Sequence, residues 1–140
     1  ALQVARHVQE HPDIVLAAAY GVPCSISDEL VMVALKLRPG ARFDPQAFFQ
    51  FCDDQVSKGG MDRKWFPDFV RVVDEFQYTQ TEKILVRNLK QVHFDRQRLG
   101  DAPLYFRVRG DTTFRPLGAA EYTRLRDEFA KAEKLDLLDR

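Results

Sequence analysis

Two short apolar runs restrict the fold of this sequence more than any other feature. The first run, residues 14–20, ends at Gly21 and Pro23, and the second run spans residues 29–37. Short apolar runs with such boundaries are typical of strands. The second run is nearly continuous, as expected of a strand that is covered on both faces. We therefore predict a small sheet with other layers of structure packed against it.

Periodic segments elsewhere predict helices around this sheet. Asp44 and Pro45 form a strong helix start, because Asp caps the free amides and Pro fits the first helical position. A third strand is predicted over residues 69–73, and a hairpin is predicted from residues 104–108 back through residues 112–114. Further helices are expected over residues 2–10, 83–90 and 119–132.

These elements together predict an α+β fold. It consists of a small sheet of about three strands flanked by helices, with a C-terminal β-hairpin and a closing helix. The length of 140 residues fits a single domain, residues 1–140. Because the sequence begins at Ala1 without Met and enters a predicted helix at once, we expect it to be a piece of a longer chain.

The composition excludes several classes of function. Lys+Arg and Asp+Glu both number 21, so the net charge is zero, and nucleic-acid binding is not expected. No apolar run reaches membrane-spanning length, and no signal-peptide pattern opens the chain. Cys24 and Cys52 suit a reduced, cytosolic protein. We expect a cytoplasmic protein, and peripheral association with a membrane stays open.

Most common chemical sites lack their residue patterns here. His7, His11 and His93 are scattered, and none stands at metal-ligand spacing with a Cys or a carboxylate. Gly59-Gly60 is too short for a phosphate loop, and no serine lies in a nucleophile elbow. We therefore expect no metal site in this chain.

Two lysines stand out by their context. Lys83 follows a polar, threonine-rich segment, residues 79–82, and is predicted to open a helix. Lys64 stands beside Trp65, and a cation next to an aromatic ring can hold a phosphate and a flat ring. From the residues alone the ordinary interpretation is favoured, in which both are surface lysines and Trp65 anchors the next strand.

The order of these segments resembles a known family. Residues 11–14 (His-Pro-Asp-Ile), 18–23 (Ala-Ala-Tyr-Gly-Val-Pro) and 37–41 (Leu-Arg-Pro-Gly-Ala) are similar to the C-terminal domain of the adenylate-forming ligases. That family includes acyl-CoA synthetases, the adenylation domains of peptide synthetases, and luciferases. An Asp-capped helix and residues 64–67 (Lys-Trp-Phe-Pro) follow in the family's order. Residues 79–85 (Thr-Gln-Thr-Glu-Lys-Ile-Leu) then fall where the family carries its Thr-x-Thr-x-Lys loop.

The last third of the chain resembles one subgroup, the very-long-chain acyl-CoA synthetases and fatty acid transport proteins. The similar segments are Phe94-Asp95, residues 103–106 (Pro-Leu-Tyr-Phe), residues 114–117 (Phe-Arg-Pro-Leu) and Glu121-Tyr122. The resemblance therefore covers nearly the whole chain. A peptide-synthetase adenylation domain is disfavoured by this tail.

The resemblance implies part of an ATP-dependent, AMP-forming acyl-CoA synthetase. In such enzymes a carboxylate attacks the α-phosphate of ATP, and the thiol of coenzyme A then displaces AMP. ATP, Mg²⁺ and coenzyme A are cofactors or substrates of the full-length enzyme, and none is expected to bind stably to this domain alone. The implied partners are the enzyme's own large N-terminal domain and a fatty acid or related carboxylic acid. The isolated, mobile C-terminal domain is expected to be inactive.

By the same resemblance, Lys83 is the adenylation lysine, and Thr79, Thr81 and Glu82 belong to its loop. Lys64 and Trp65 stand where the family's corresponding loop borders the coenzyme A channel. The acyl chain is expected to be long or very long, and a sterol side-chain acid stays open, because the substrate tunnel belongs to the large domain.

The sequence departs from the family pattern at three places. Gln77-Tyr78 stand where the family usually has Pro-Arg, Glu82 where many members have Gly, and Asp28 where Gly usually precedes Glu29. These changes keep a second hypothesis open: a stand-alone interaction module that retained the fold and lost the chemistry.

Overall fold

The computed structural model describes residues 2–140; Ala1, the first residue of the predicted domain, lies outside the described residues. The chain forms a five-stranded sheet with strands in sequence order. The strands are β1 Ile14–Pro23, β2 Glu29–Leu37, β3 Phe69–Val73, β4 Leu104–Phe106 and β5 Arg115–Pro116. The helices are α1 Leu2–Val8, α2 Pro45–Ser57, α3 Val86–Val92, α4 Arg96–Leu99, α5 Ala119–Lys131 and α6 Leu135–Asp139, with a short 3-10 helix at Arg63–Trp65.

Strand directions decide which loops meet at each edge of the sheet. β2 pairs with β1 in antiparallel fashion and with β3 in parallel, and β4 and β5 continue with antiparallel pairs. Lys36, near the end of β2, lies opposite Val73, the last residue of β3. The segments that follow β2 and β3 therefore leave the sheet at the same edge.

Strand β2 is buried on both faces, as predicted from its continuous apolar run. Met32, Val33, Ala34 and Leu35 are all 0% exposed. Because side chains alternate along a strand, Met32 and Ala34 face one apolar layer while Val33 and Leu35 face the other. The first layer is covered by α3 to α6 and the second by α1 and α2, which confirms the predicted α+β class.

The residues Asp44 and Pro45 explain where α2, which covers the second apolar layer, begins. The side chain of Asp44 accepts hydrogen bonds from the backbone amides of Gln46 (3.1 Å) and Ala47 (3.0 Å), and Pro45 occupies the first turn. This confirms the predicted start. Phe48 and Cys52, one turn apart, are buried in the second apolar layer.

Three sequence predictions need correction. The helix predicted over residues 83–90 begins at Val86, because Ile84 is instead held in an extended bridge with Tyr78. The hairpin strand predicted over residues 112–114 lies at Arg115–Pro116, because residues 108–111 form a separate turn after β4. In this turn the side chain of Asp111 accepts from the Val108 amide (3.0 Å), and the amide of Asp111 donates to the Val108 carbonyl (3.0 Å). The sheet therefore has five strands rather than three plus a separate hairpin.

The predicted connector 96–103 contains α4, which Asp95 caps through its side chain. Oδ1 of Asp95 accepts from the amides of Gln97 (3.0 Å) and Arg98 (3.2 Å), and Oδ2 accepts from Nε of Arg98 (2.7 Å). Arg98 also donates to the backbone carbonyl of Leu138 (3.1 Å), where His93 Nε2 lies at 3.0 Å. These contacts fasten α6, an element that the sequence pattern did not predict, to the junction of α3 and α4.

We expect Phe94→Ala to be strongly destabilising. Phe94 is 0% exposed, and its ring stacks on Phe69 with the centroids 4.1 Å apart. A cavity of this kind typically costs about 3–5 kcal/mol of unfolding free energy, which denaturant titration measures. Val15→Ala, at a residue that is 42% exposed, is the matched control and should change stability little. Equal stability of the two variants would contradict the packing described here.

A second prediction concerns acid stability. Burial alone would raise the pKa of Asp95, but hydrogen bonds from Arg98 and the amides outweigh it, so the pKa of Asp95 lies below its ordinary value. Such a carboxylate stabilises the fold above the unfolded-state pKa and loses that contribution as the pH falls through its lower folded value. Asp95→Asn should therefore lower the unfolding free energy at pH 7 by about 1–2 kcal/mol. It should also flatten the loss of stability below about pH 4.

The control for this prediction is Asp101→Asn, which removes an exposed carboxylate. Unfolding free energies measured from pH 7 to pH 3 should be unchanged by that substitution. If Asp95→Asn has the same acid dependence as the unmodified chain, the charge of Asp95 does not stabilise the fold.

Candidate functional site

The segment around Lys83 forms a small β-hairpin at the edge where β3 ends. Tyr78 and Ile84 pair as an antiparallel bridge. The amide of Thr79 donates to the carbonyl of Lys83 (2.7 Å), and the amide of Leu85 donates to the carbonyl of Gln77 (2.8 Å). We call residues 77–85 the lysine hairpin. Lys83 therefore lies on the returning arm of a turn, not in a helix.

The turn of the lysine hairpin has a left-handed residue. The amide of Glu82 donates to the carbonyl of Thr79 (2.9 Å), and Glu82 has φ 63°. Three-residue hairpin loops commonly end with a residue in this conformation, and Gly is preferred there because it has no Cβ. Glu82, which stands where the family that the sequence resembles often has Gly, therefore occupies a backbone conformation that favours Gly.

Two threonine side chains support this turn. Oγ1 of Thr79 lies 3.1 Å from Oγ1 of Thr81 and accepts from the amide of Lys83 at 3.3 Å. Side chains of this type often mimic a backbone turn. The predicted loop residues Thr79, Thr81 and Glu82 are therefore brought together with Lys83 by one compact turn.

The side chain of Lys83 is exposed and free to meet an anion. Lys36, Lys64 and Lys90 have carboxylates within ion-pairing distance. Within residues 2–140, Lys83 makes no ion pair of this kind. A free ammonium on a tight turn can approach a phosphate or a carboxylate supplied by another molecule or domain.

The chain that leads into the lysine hairpin is attached to the sheet. Nζ of Lys36, on β2, lies 2.8 Å from Oε2 of Glu75, just after β3. The hydrogen bond from Lys36 lowers the pKa of Glu75, and the same bond raises the pKa of Lys36. Both groups stay ionised at neutral pH, so the pair persists there.

Lys64 and Trp65 lie in the 3-10 helix that precedes β3. The side chain of Asp62 caps this helix by accepting from the amide of Lys64 (3.0 Å). Nζ of Lys64 is 3.9 Å from Oδ2 of Asp62 and 5.5 Å from the centroid of the Trp65 ring. Trp65 is partly buried against the second apolar layer, as the ordinary interpretation predicted, while Lys64 is exposed.

The structure places the two predicted lysine sites at opposite ends of β3. Lys64 and Trp65 precede Phe69, whereas Lys83 follows Val73. A five-residue strand spans about 17 Å at 3.3 Å per residue. Lys83 and Lys64 therefore face different edges of the sheet and do not form one site.

The sequence pattern did not reveal an open groove of about 1040 Å³ at the Lys64 edge. It lies between the β1–β2 loop, the 3-10 helix and the segment after β4. Ile26, at 90% exposure, and Val108, at 46% exposure, contribute apolar surface, and Arg107 pairs with Asp68 (3.2 Å) along one wall. The exposed Ile26 between two serines was the one sequence signal for this surface.

Two kinds of feature, a metal-binding group of side chains and a membrane-spanning helix, are absent from residues 2–140. No group of three His, Cys, Asp or Glu side chains there is arranged to hold a metal ion. The helices of the described chain are also too short or too polar for any of them to cross a membrane.

Comparisons with known proteins connect this geometry to an enzyme family. No family model matches the chain. The chain is 31% identical over 129 residues, 92% of its length, to the steroid-22-oyl-CoA synthetase of Rhodococcus jostii. It is 34% identical over 86 residues, 61% of its length, to the medium/long-chain fatty acid–CoA ligase FadD17 of Mycobacterium marinum. The chain spans only 22% and 16% of the lengths of these two relatives.

Among solved structures, an acyl-CoA synthetase from Brucella canis has the same fold, with a TM-score of 0.60 and 23% identity. The alignment covers 69% of this chain and 17% of that protein. The sequence relatives and the shared fold together match this chain to the C-terminal domain of an adenylate-forming acyl-CoA synthetase.

Proposed function

We propose that this chain works as the mobile C-terminal domain of a ligase that joins a fatty acid or related carboxylic acid to coenzyme A. In this proposal Lys83 assists acyl-adenylate formation, and the Lys64–Trp65 end faces coenzyme A. The observation that carries the proposal is an exposed, unpaired lysine on a tight turn at the end of β3, in a chain whose relatives are acyl-CoA ligases.

The chemistry of adenylation gives Lys83 a physical role. When the carboxylate oxygen attacks the α-phosphorus of ATP, negative charge concentrates on the phosphate oxygens and pyrophosphate leaves. An ammonium group beside these atoms stabilises the transition state more than the ground state. ATP, the acid and Mg²⁺ bound to the phosphates would be held by a large N-terminal domain.

The separation of the two lysines supports the proposal that the domain is mobile. Lys83 and Lys64 lie at opposite ends of β3, so one orientation of the domain cannot place both beside the same phosphate. Withdrawal of Lys83 after adenylation would clear the space that the thiol of coenzyme A needs. Reorientation of a domain between two chemical steps is a common way to order a reaction.

The relatives guide the proposal for the substrate. One is a ligase for medium- and long-chain fatty acids, and the other is a steroid-22-oyl-CoA synthetase. Both names describe a carboxylate attached to a large apolar body. We therefore propose an acid of that class for this protein, acting in the cytoplasm with access to a membrane surface where such acids partition.

We expect Lys83→Ala in the full-length ligase to reduce acid-dependent ATP–pyrophosphate exchange by roughly 100-fold or more, as removal of one charge-stabilising donor typically does. Thioester formation from supplied acyl-adenylate and coenzyme A should stay within about twofold of the unmodified enzyme, because Lys83 has withdrawn by then. Both half-reactions can be followed with radiolabelled pyrophosphate and by chromatography of the acyl-CoA product.

The control is Lys131→Ala, which removes an exposed lysine from α5 and should leave both half-reactions unchanged. Equal exchange by Lys83→Ala and the unmodified enzyme would refute the assigned role of Lys83. If the unmodified enzyme gives no exchange with any acid tested, the stand-alone interaction module becomes the better account.

A further prediction separates the charge of Glu82 from its backbone conformation. Glu82→Gly and Glu82→Ala both remove a carboxylate beside Lys83, and each should lower the KM for ATP about twofold to fivefold by reducing repulsion of the phosphates. Only Glu82→Gly also relieves the left-handed strain at φ 63°, roughly 1 kcal/mol. It should therefore be the more stable of the two in thermal unfolding. A higher KM for ATP in both variants would mean that the carboxylate helps ATP to bind.

A further inference from the structure

Only the returning end of the lysine hairpin is held by burial. Every residue from Gln77 to Lys83 is exposed, and contact with the first apolar layer resumes only at Ile84. An exposed hairpin of this length is marginally stable by itself. The turn that carries Lys83 therefore depends on hydrogen bonds as well as on the apolar contact of Ile84.

Gln77 accepts two of these hydrogen bonds, one through its backbone and one through its side chain. Its backbone carbonyl accepts from the amide of Leu85 (2.8 Å), which joins the two arms of the hairpin. Its side-chain Oε1 accepts from Nδ2 of Asn88 (2.8 Å), which lies in the first turn of α3. One residue thus holds the hairpin closed and attaches it to a helix.

Helix α3 is a firm support for this attachment. Val86 and Leu89 of α3 pack against the first apolar layer, so the helix is fixed to the sheet by burial. On the other side, Glu75 bonds to Lys36 of β2 and holds the chain that enters the hairpin. The Gln77–Asn88 bond restrains the first arm of the hairpin, and the backbone bonds of Thr79 with Lys83 and of Leu85 with Gln77 couple that arm to the returning arm, on which Lys83 sits.

We infer that Gln77, through Asn88, is a positioning residue that holds the Lys83 turn in the geometry needed for adenylation; this inference rests on the proposed role of Lys83. The ammonium of Lys83 acts only if it lies beside the developing phosphate charge, and misplacement by about 1 Å is costly. Loss of the Gln77–Asn88 bond, which we call the clamp, lowers the fraction of molecules that have Lys83 in place. It therefore lowers the rate of adenylation and leaves substrate binding and thioester formation unaffected.

The experiment compares Gln77→Ala, Asn88→Ala and the double variant in the full-length ligase, with Lys83→Ala as reference. Each single variant should lower kcat for ATP–pyrophosphate exchange about fivefold to tenfold with KM for ATP unchanged. The double variant should be no slower than the singles, because both remove the same bond. Gln77→Glu keeps the acceptor oxygen for Asn88 and should restore most of the rate.

The matched control is Gln91→Ala, an exposed glutamine on the same helix, which should leave exchange unchanged. Additive losses in the double variant, or equal losses in exchange and in thioester formation from supplied acyl-adenylate, would overturn the positioning role and indicate general destabilisation. Normal exchange in Gln77→Ala, together with loss of exchange in Lys83→Ala, would refute the positioning role of the clamp and leave the proposed role of Lys83 intact. Normal exchange in Lys83→Ala would refute the proposed function, and the clamp would fall with it.

Discussion

The burial of β2 between two apolar layers is the constraint on which the rest of the domain depends. Four consecutive residues, Met32 to Leu35, have no exposed surface, so both faces of the strand must be covered. The strand is paired along its length with β1 and over residues 32–36 with β3, and this leaves little freedom in register. The parallel neighbour β3 is thereby fixed in place, and its two ends define two opposite edges of the sheet.

The two lysines to which we propose roles lie outside this buried centre. Lys83 and Lys64 are exposed; Lys83 is presented by a hairpin turn that Thr79 supports, and Lys64 by a short 3-10 helix that Asp62 caps. A buried core provides a firm base for exposed turns, and binding and catalytic residues are often carried by such turns. The two turns are held at opposite ends of one strand, so reorientation of the rigid domain would exchange one turn for the other.

The sequence predicted best those features that depend on local or periodic signals. Continuous apolar runs predicted β1 and β2, and the Asp44-Pro45 pair predicted the start of α2, since neither signal requires knowledge of distant residues. The predicted start of the helix near Lys83 was wrong because Ile84 and Leu85 fit a helical pattern of apolar residues. The sequence does not reveal that Ile84 instead bridges to Tyr78, and position 82 has Glu where a glycine would have indicated the left-handed turn. The groove at the Lys64 edge combines three separate segments, and pairing between such segments cannot be read from any one of them.

The central claim is that the ammonium of Lys83 reaches the phosphates of ATP. Affinity labelling of the full-length ligase with an ATP analogue that carries an aldehyde at its phosphate end, followed by borohydride reduction and peptide mapping, tests this contact directly. The account predicts that Lys83 is the labelled residue of this domain and that excess ATP together with Mg²⁺ protects it. Labelling that modifies Lys64 or other surface lysines while Lys83 stays unmodified would contradict the account.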